Sequence, residues 1–149
     1  MSELLTLDAS VLVKLLVRED QSDLARQLFR SHLEANDEIV APSWAWAEVG
    51  STLLKKARQG TVPAPELEEL WQRFTLLPLT YVDDPPIRER AWAIATDYGL
   101  PTLYDAAFLA VTELAPGPLQ RTFWTADADL IRTLRPRRPS YVRELRELI

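Results

Sequence analysis

The sequence predicts an α/β fold: a mostly parallel sheet of four or five strands with helices on both faces. Three observations carry this. Short apolar runs of strand length (4–7, 38–41, 79–82 and 121–125) alternate with amphipathic stretches of helical length. Proline, glycine and Asx residues punctuate the joints between them. The first run stops at an acid, Asp8, and turns at once into a helix, as open α/β sheets do where they present chemistry at the carboxyl ends of their strands.

Leu4, Leu5 and Leu7 form the first strand, and Ser10 to Val17 reads as a short apolar helix carrying Lys14. Asp20 or Ser22 caps a longer amphipathic helix to about Ala35, with Leu24, Leu28 and Phe29 inward. Asn36-Asp37 turns the chain into a strand over 38–41, closed by Pro42. A helix follows from Ser43 to about Arg58, ended by Gly60. Its residues Trp46, Val49, Leu53 and Ala57 make a core stripe, whereas Trp44, Glu48, Ser51 and Lys55 share another face. Glu48 and Lys55 are two turns apart and only about 20° out of phase, so Lys55 is expected at the rim of whatever Glu48 lines. A helix from Pro65 or Glu66 to Leu77 turns Leu67, Leu70, Trp71 and Phe74 inward, before a third strand at 79–82. Ile87–Tyr98 is helical and ends at Gly99, and Thr102 caps a helix over Leu103–Leu114. Arg121–Thr125 is the fourth strand, Ala126–Leu134 a short helix, and Ser140–Val142 a fifth edge strand before a fraying tail to Ile149.

At 149 residues one domain is expected, 1–149, with its acid motifs within 4–134 and a basic tail over 132–149. Apolar residues make up 47% and charged residues 26%, ordinary for a soluble domain, and no apolar run is long enough to span a membrane. The first residues lack the basic and apolar segments of a secretory signal, so the cytoplasm is the expected location. With no cysteine, disulfides, thiolate metal sites and thiol nucleophiles are excluded. The single histidine, His32, reads as a solvated surface residue and leaves no histidine-rich zinc site. Any catalysis therefore runs on carboxylates, hydroxyls and a bound metal. The net charge of −5 disfavours general nucleic-acid affinity, although the tail from Arg132 onward carries six arginines against two glutamates.

Each acid of interest also has a plain explanation. Asp8 suits a helix cap, and Glu48 an exposed helix position. Asp105 follows Thr102 at capping-box spacing, and Asp127 and Asp129 fall in a first helical turn. As a set they read differently. A parallel sheet shares one carboxyl edge, so Asp8 and Asp127 converge there with Asp105 alongside. Crowded like charges demand protons or a cation, and oxygen donors alone favour Mg²⁺ or Mn²⁺.

The series Leu7-Asp8-Ala9-Ser10, Ala47-Glu48-Val49, Tyr104-Asp105-Ala106-Ala107-Phe108-Leu109-Ala110 and Thr125-Ala126-Asp127-Ala128-Asp129-Leu130 resembles the PIN domain, and within it the VapC-type toxins of toxin–antitoxin pairs. The resemblance implies a metal-dependent endoribonuclease. Asp8, Glu48, Asp105 and Asp127 would be its acidic quartet, with Asp8, Asp105 and Asp127 binding Mg²⁺ or Mn²⁺. Ser10 and Thr125 match the hydroxyl positions that orient the acids, and Asp129 would be an auxiliary. It further implies an RNA substrate, a cognate antitoxin protein and a homodimer, with no membrane partner. The acidic total charge favours a structured RNA such as tRNA, read at one loop. Lys55 and Lys14 are the expected substrate contacts, and Trp44, on the Glu48 face, a stacking surface. The alternatives are a non-catalytic PIN-like binding module in a larger assembly and a phosphoryl-transfer protein of receiver or phosphatase type. The latter lacks its motif, since Asp8 has no acidic neighbour and no lysine follows Trp124.

Overall fold

Five strands, β1 (Leu4–Leu7), β2 (Glu38–Pro42), β3 (Thr80–Val82), β4 (Arg121–Thr125) and β5 (Val142–Glu144), form one sheet in the order β3-β2-β1-β4-β5. Every neighbouring pair is parallel. The computed structural model describes residues 2–148. Met1 and Ile149, the outermost residues of the expected domain and the last of the expected tail, lie outside the described residues.

Alternation along β1 sorts the core into two layers. Leu5 and Leu7 pack against α1 (Ala9–Leu16), α2 (Ser22–Glu34), α3 (Ala45–Arg58) and α4 (Leu67–Thr75). Leu4 packs on the opposite face, against α5 (Pro85–Tyr98), α6 (Leu103–Leu114) and α7 (Ala128–Leu134). From β1 the chain works outward to β2 and β3. It then returns across the other face to β4, beside β1, and moves outward again to β5. Connections thus leave β1 and β4 in opposite directions, and such a switch point opens a crevice at the carboxyl ends of the two strands. Asp8 follows the end of β1 directly, and Asp127 lies two residues past the end of β4.

Several sequence expectations need correction. Helix α3 starts at Ala45 rather than Ser43: Ser43 still belongs to the pairing with β3, its N–H donating to the Val82 carbonyl at 3.1 Å, and the chain turns before coiling. Neither Asp20 nor Ser22 caps α2. Gln21 sits at the cap with φ 65°, while the Ser22 hydroxyl donates to the Val17 carbonyl and accepts from the Glu19 N–H. Trp46 is 51% exposed, although Val49 and Leu53 of its stripe are buried. It borders an apolar groove that α3 and α4 leave open, where Gly50 allows the Trp71 ring to within 3.0 Å of a Cβ position. The fifth strand begins at Val142, and the tail beyond it is packed, with Leu145 fully buried and Glu144 and Glu147 closing a capping box. Nor is that tail a free basic arm. Arg132, Arg137, Arg138 and Arg146 pair with Asp129, Asp97, Glu147 and Glu144, and Arg143 lies over the Trp124 ring. Among the described residues, no helix is long and apolar enough to cross a membrane.

Candidate active site

The site is built around Asp8, which is 3% exposed at the end of β1 and caps α1 by accepting from the Val11 N–H at 3.2 Å. Its oxygens each receive a hydroxyl. Ser10 Oγ donates to Oδ1 and Thr125 Oγ1 to Oδ2, both at 2.5 Å. Backbone donors orient those hydroxyls. The Ala126 N–H points at Ser10 Oγ (2.9 Å) and the Asp127 N–H at Thr125 Oγ1 (3.0 Å), which leaves each hydroxyl proton to face the carboxylate. The turn after β4 is thereby tied to the end of β1 through two side chains. Thr125→Val keeps the volume and removes one donor. It is expected to raise the Asp8 pKa further and to cut any metal-dependent activity about 10- to 100-fold, as read from a pH–rate profile.

Burial dominates the electrostatics. It lifts the Asp8 carboxyl to about 7, against the lowering pull of Ser10 and Thr125, and the Asp105 charge adds to the rise. Glu48, on the first turn of α3, is also lifted to about 7, by burial first and then by Asp105. Asp105, on the first turn of α6, is raised by burial and by Asp127. Asp105 therefore stands electrostatically between the other three acids. The capping box expected at Thr102 does not form, since the Thr102 side chain makes no cap bond. Asp127 caps α7, accepting through Oδ1 from the Asp129 and Leu130 N–H groups. Among the described residues, none of the four acids has a lysine, arginine or histidine within ion-pair distance.

The chain that carries these acids has a counterpart among known families. The family description "PIN domain" matches residues 5–135. The chain belongs to the PIN domain family. PIN domains are typically nucleases, which fits acids gathered at a strand edge. No curated protein matches the chain. Among solved structures, the PIN domain resembles one titled "Crystal Structure of PAE2754 from Pyrobaculum aerophilum". The TM-score is 0.64 and the identity 23%, over 97% of this chain and 90% of that one, a likeness of fold.

The remaining expected residues fall in varied places. Asp129 faces solvent and pairs with Arg132. Lys55 is exposed and does not line the groove next to Glu48, whereas Lys56 does, with Thr52 one turn before it. The groove lies on the α1 side of Glu48, along the row 48-52-56, and a salt bridge to Glu19 draws Lys56 into it. Lys14 lines the same groove. Trp44 is not a stacking platform. It is half-buried, with its ring edge-on to Tyr104 and Phe108 at 5.1 and 5.5 Å. His32 is not solvated either, because its Nδ1 lies 2.6 Å from Asp37 and its side chain is 14% exposed. Glu3, His32 and Asp37 bring ligand atoms within 4.8 Å of one another, a spacing that no three of the four acids reach among the described residues. That trio lies at the amino ends of β1 and β2, across the sheet from Asp8. Sequence reading missed Glu19 and Lys56. The signal for Lys56 was the four-residue ladder from Glu48 through Thr52.

Proposed function

We propose that this PIN domain is a Mg²⁺- or Mn²⁺-dependent endoribonuclease and the toxin of a toxin–antitoxin pair acting in the cytoplasm. The observation that carries the reading is a set of four acids about the β1/β4 switch point, in which Asp105 raises Asp8 and Glu48, Asp127 raises Asp105, and none has a cationic partner among the described residues. Hard oxygen donors left uncompensated suit a hard divalent ion. Asp8, Asp105 and Asp127 would hold it. Such an ion, when bound, lowers the pKa of a coordinated water and screens charge on a phosphodiester. Asp8 stays fixed because Ser10 and Thr125 hold both its oxygens. Glu48, which is not among the three acids that would hold the ion, would accept the proton of the attacking water.

The net charge of −5 supports a structured RNA, tRNA-like, engaged at one loop over indiscriminate binding. An antitoxin partner and a homodimer draw support from the open groove of about 370 Å³ between α3 and α4, lined by Trp46, Leu54 and Trp71, since exposed apolar patches of this kind mark protein interfaces. The test is cleavage of structured RNA with Mn²⁺ against the same reaction in EDTA. Cut products that depend on the ion support the reading. Absence of cleavage, with a melting temperature unmoved by Mn²⁺, supports a non-catalytic binding module instead.

A further inference from the structure

We infer that Lys14 and Lys56, bridged by Glu19, form a phosphate-binding subsite for the RNA strand at the mouth of the acid pocket, with Glu19 as a positioning residue. The inference rests on the nuclease reading for its ligand. Its geometry is independent of that reading.

A groove of about 370 Å³ between α1 and α3 is lined by Ser10, Lys14, Glu19, Glu48, Thr52 and Lys56. Ser10 and Glu48 belong to the acid site, so the groove opens directly onto it. Lys14 Nζ lies 3.0 Å from one Glu19 oxygen and donates to the Asp20 carbonyl at 2.8 Å, and Lys56 Nζ lies 3.0 Å from the other Glu19 oxygen. The lysine side chains are only 13% and 24% exposed, so neither sweeps freely through solvent. The Glu19 oxygen facing Lys56 is shut off from water, yet no aligned hydrogen bond reaches it. Lys56 is thus held against Glu19 by charge, and an ammonium has three N–H donors, more than one carboxylate oxygen can occupy.

Two ammonium groups around one carboxylate carry a net positive charge beside a cluster of four acids. A phosphodiester approaching that cluster meets repulsion from its carboxylates. A cationic flank fixed at the pocket mouth offsets the repulsion and sets the register of the strand. Stability alone does not account for the arrangement, because partly exposed ion pairs contribute little to it.

The test is binding of a labelled single-stranded oligoribonucleotide in EDTA, followed as a function of salt. Lys56→Met is expected to flatten the slope of log affinity against log salt by about 0.7, the contribution of one phosphate contact on a single strand. Lys55→Met removes the same charge from the exposed side of α3 and is expected to do less, and Lys56→Arg should restore the slope. Glu19→Gln separates positioning from plain charge. If Glu19 only neutralises the lysines, its loss tightens binding. If it positions them, binding weakens although the net charge has become more favourable to RNA. Equal slopes for Lys56→Met and Lys55→Met, or no RNA binding by the unchanged protein at low salt, would overturn the subsite. Tighter binding by Glu19→Gln would overturn the positioning role. Melting curves confirm that each variant is folded. Because EDTA silences hydrolysis, failure of the unchanged protein to cut RNA with Mn²⁺ sinks the nuclease reading and leaves this experiment standing.

Discussion

Asp8→Asn is expected to lower Mn²⁺-dependent RNA cleavage by at least about 10³-fold, on the order of 4 kcal/mol of barrier. The substitution keeps the shape of the side chain but removes the buried charge around which the pocket is arranged. Ser10 and Thr125 both donate to Asp8, and each hydroxyl also accepts one backbone N–H, from Ala126 and Asp127. An amide nitrogen must then face one of two hydroxyls already committed as donors, which loosens the tie between the ends of β1 and β4. The fold should survive, since Asp8 carries unfavourable charge in the metal-free protein. Cleavage lost with the melting temperature retained is the expected pair of results. Near-normal cleavage by Asp8→Asn would remove Asp8 from the reaction.

The second large effect is on stability. Asp8 and Glu48 titrate at about 7 in the folded protein, against ordinary values of 3.8 and 4.5. A folded-state pKa above the unfolded one means that the native protein binds these protons more tightly. The associated stability is present below the unfolded values and is lost as pH rises through about 7. For fully buried Asp8 the upper bound is on the order of 4 kcal/mol, with Asp105 sharing in the same coupled titration. Metal-free protein is therefore expected to melt about 5–10 °C higher at pH 5.5 than at pH 8. Mn²⁺ competes with those protons, so its stabilisation should be larger at pH 8. A metal-free melting temperature that climbs with pH over this window would show that the acids are not held as described.

The helix and strand rhythm was legible because its signals are local. The run ending at Asp8 and the break at Gly99 each depend on residues within one turn, whereas Asp127, expected inside the first turn of a helix from Ala126, instead caps one that starts at Ala128. Convergence of Asp8 with Asp127 followed from parallel order alone, which fixes a common carboxyl edge. What escaped depends on partners distant in the chain. Trp46 fits a core stripe by periodicity, but whether a neighbouring helix covers it is decided by how far α4 extends. His32 looks solvated in a polar helix, and only the turn that brings Asp37 back beneath it shows otherwise. Lys55 is the better helical match to Glu48, yet Glu19 on another segment draws Lys56 into the groove. Periodicity gives the face of a helix, while the neighbour on that face comes from topology.

The central claim, that these acids share a divalent ion at the β1/β4 edge, is tested most directly by counting protons released when Mn²⁺ binds. Calorimetric titration at pH 7 in buffers of different ionisation enthalpy supplies that count. Expected is release of roughly one proton per Mn²⁺ bound, because carboxyls titrating near 7 must give up their protons to the metal. Binding should be lost in Asp8→Asn and Asp105→Asn and kept in His32→Ala. Binding without proton release, kept in both acid variants and abolished in His32→Ala, would instead put the ion with Glu3, His32 and Asp37 at the opposite end of the sheet.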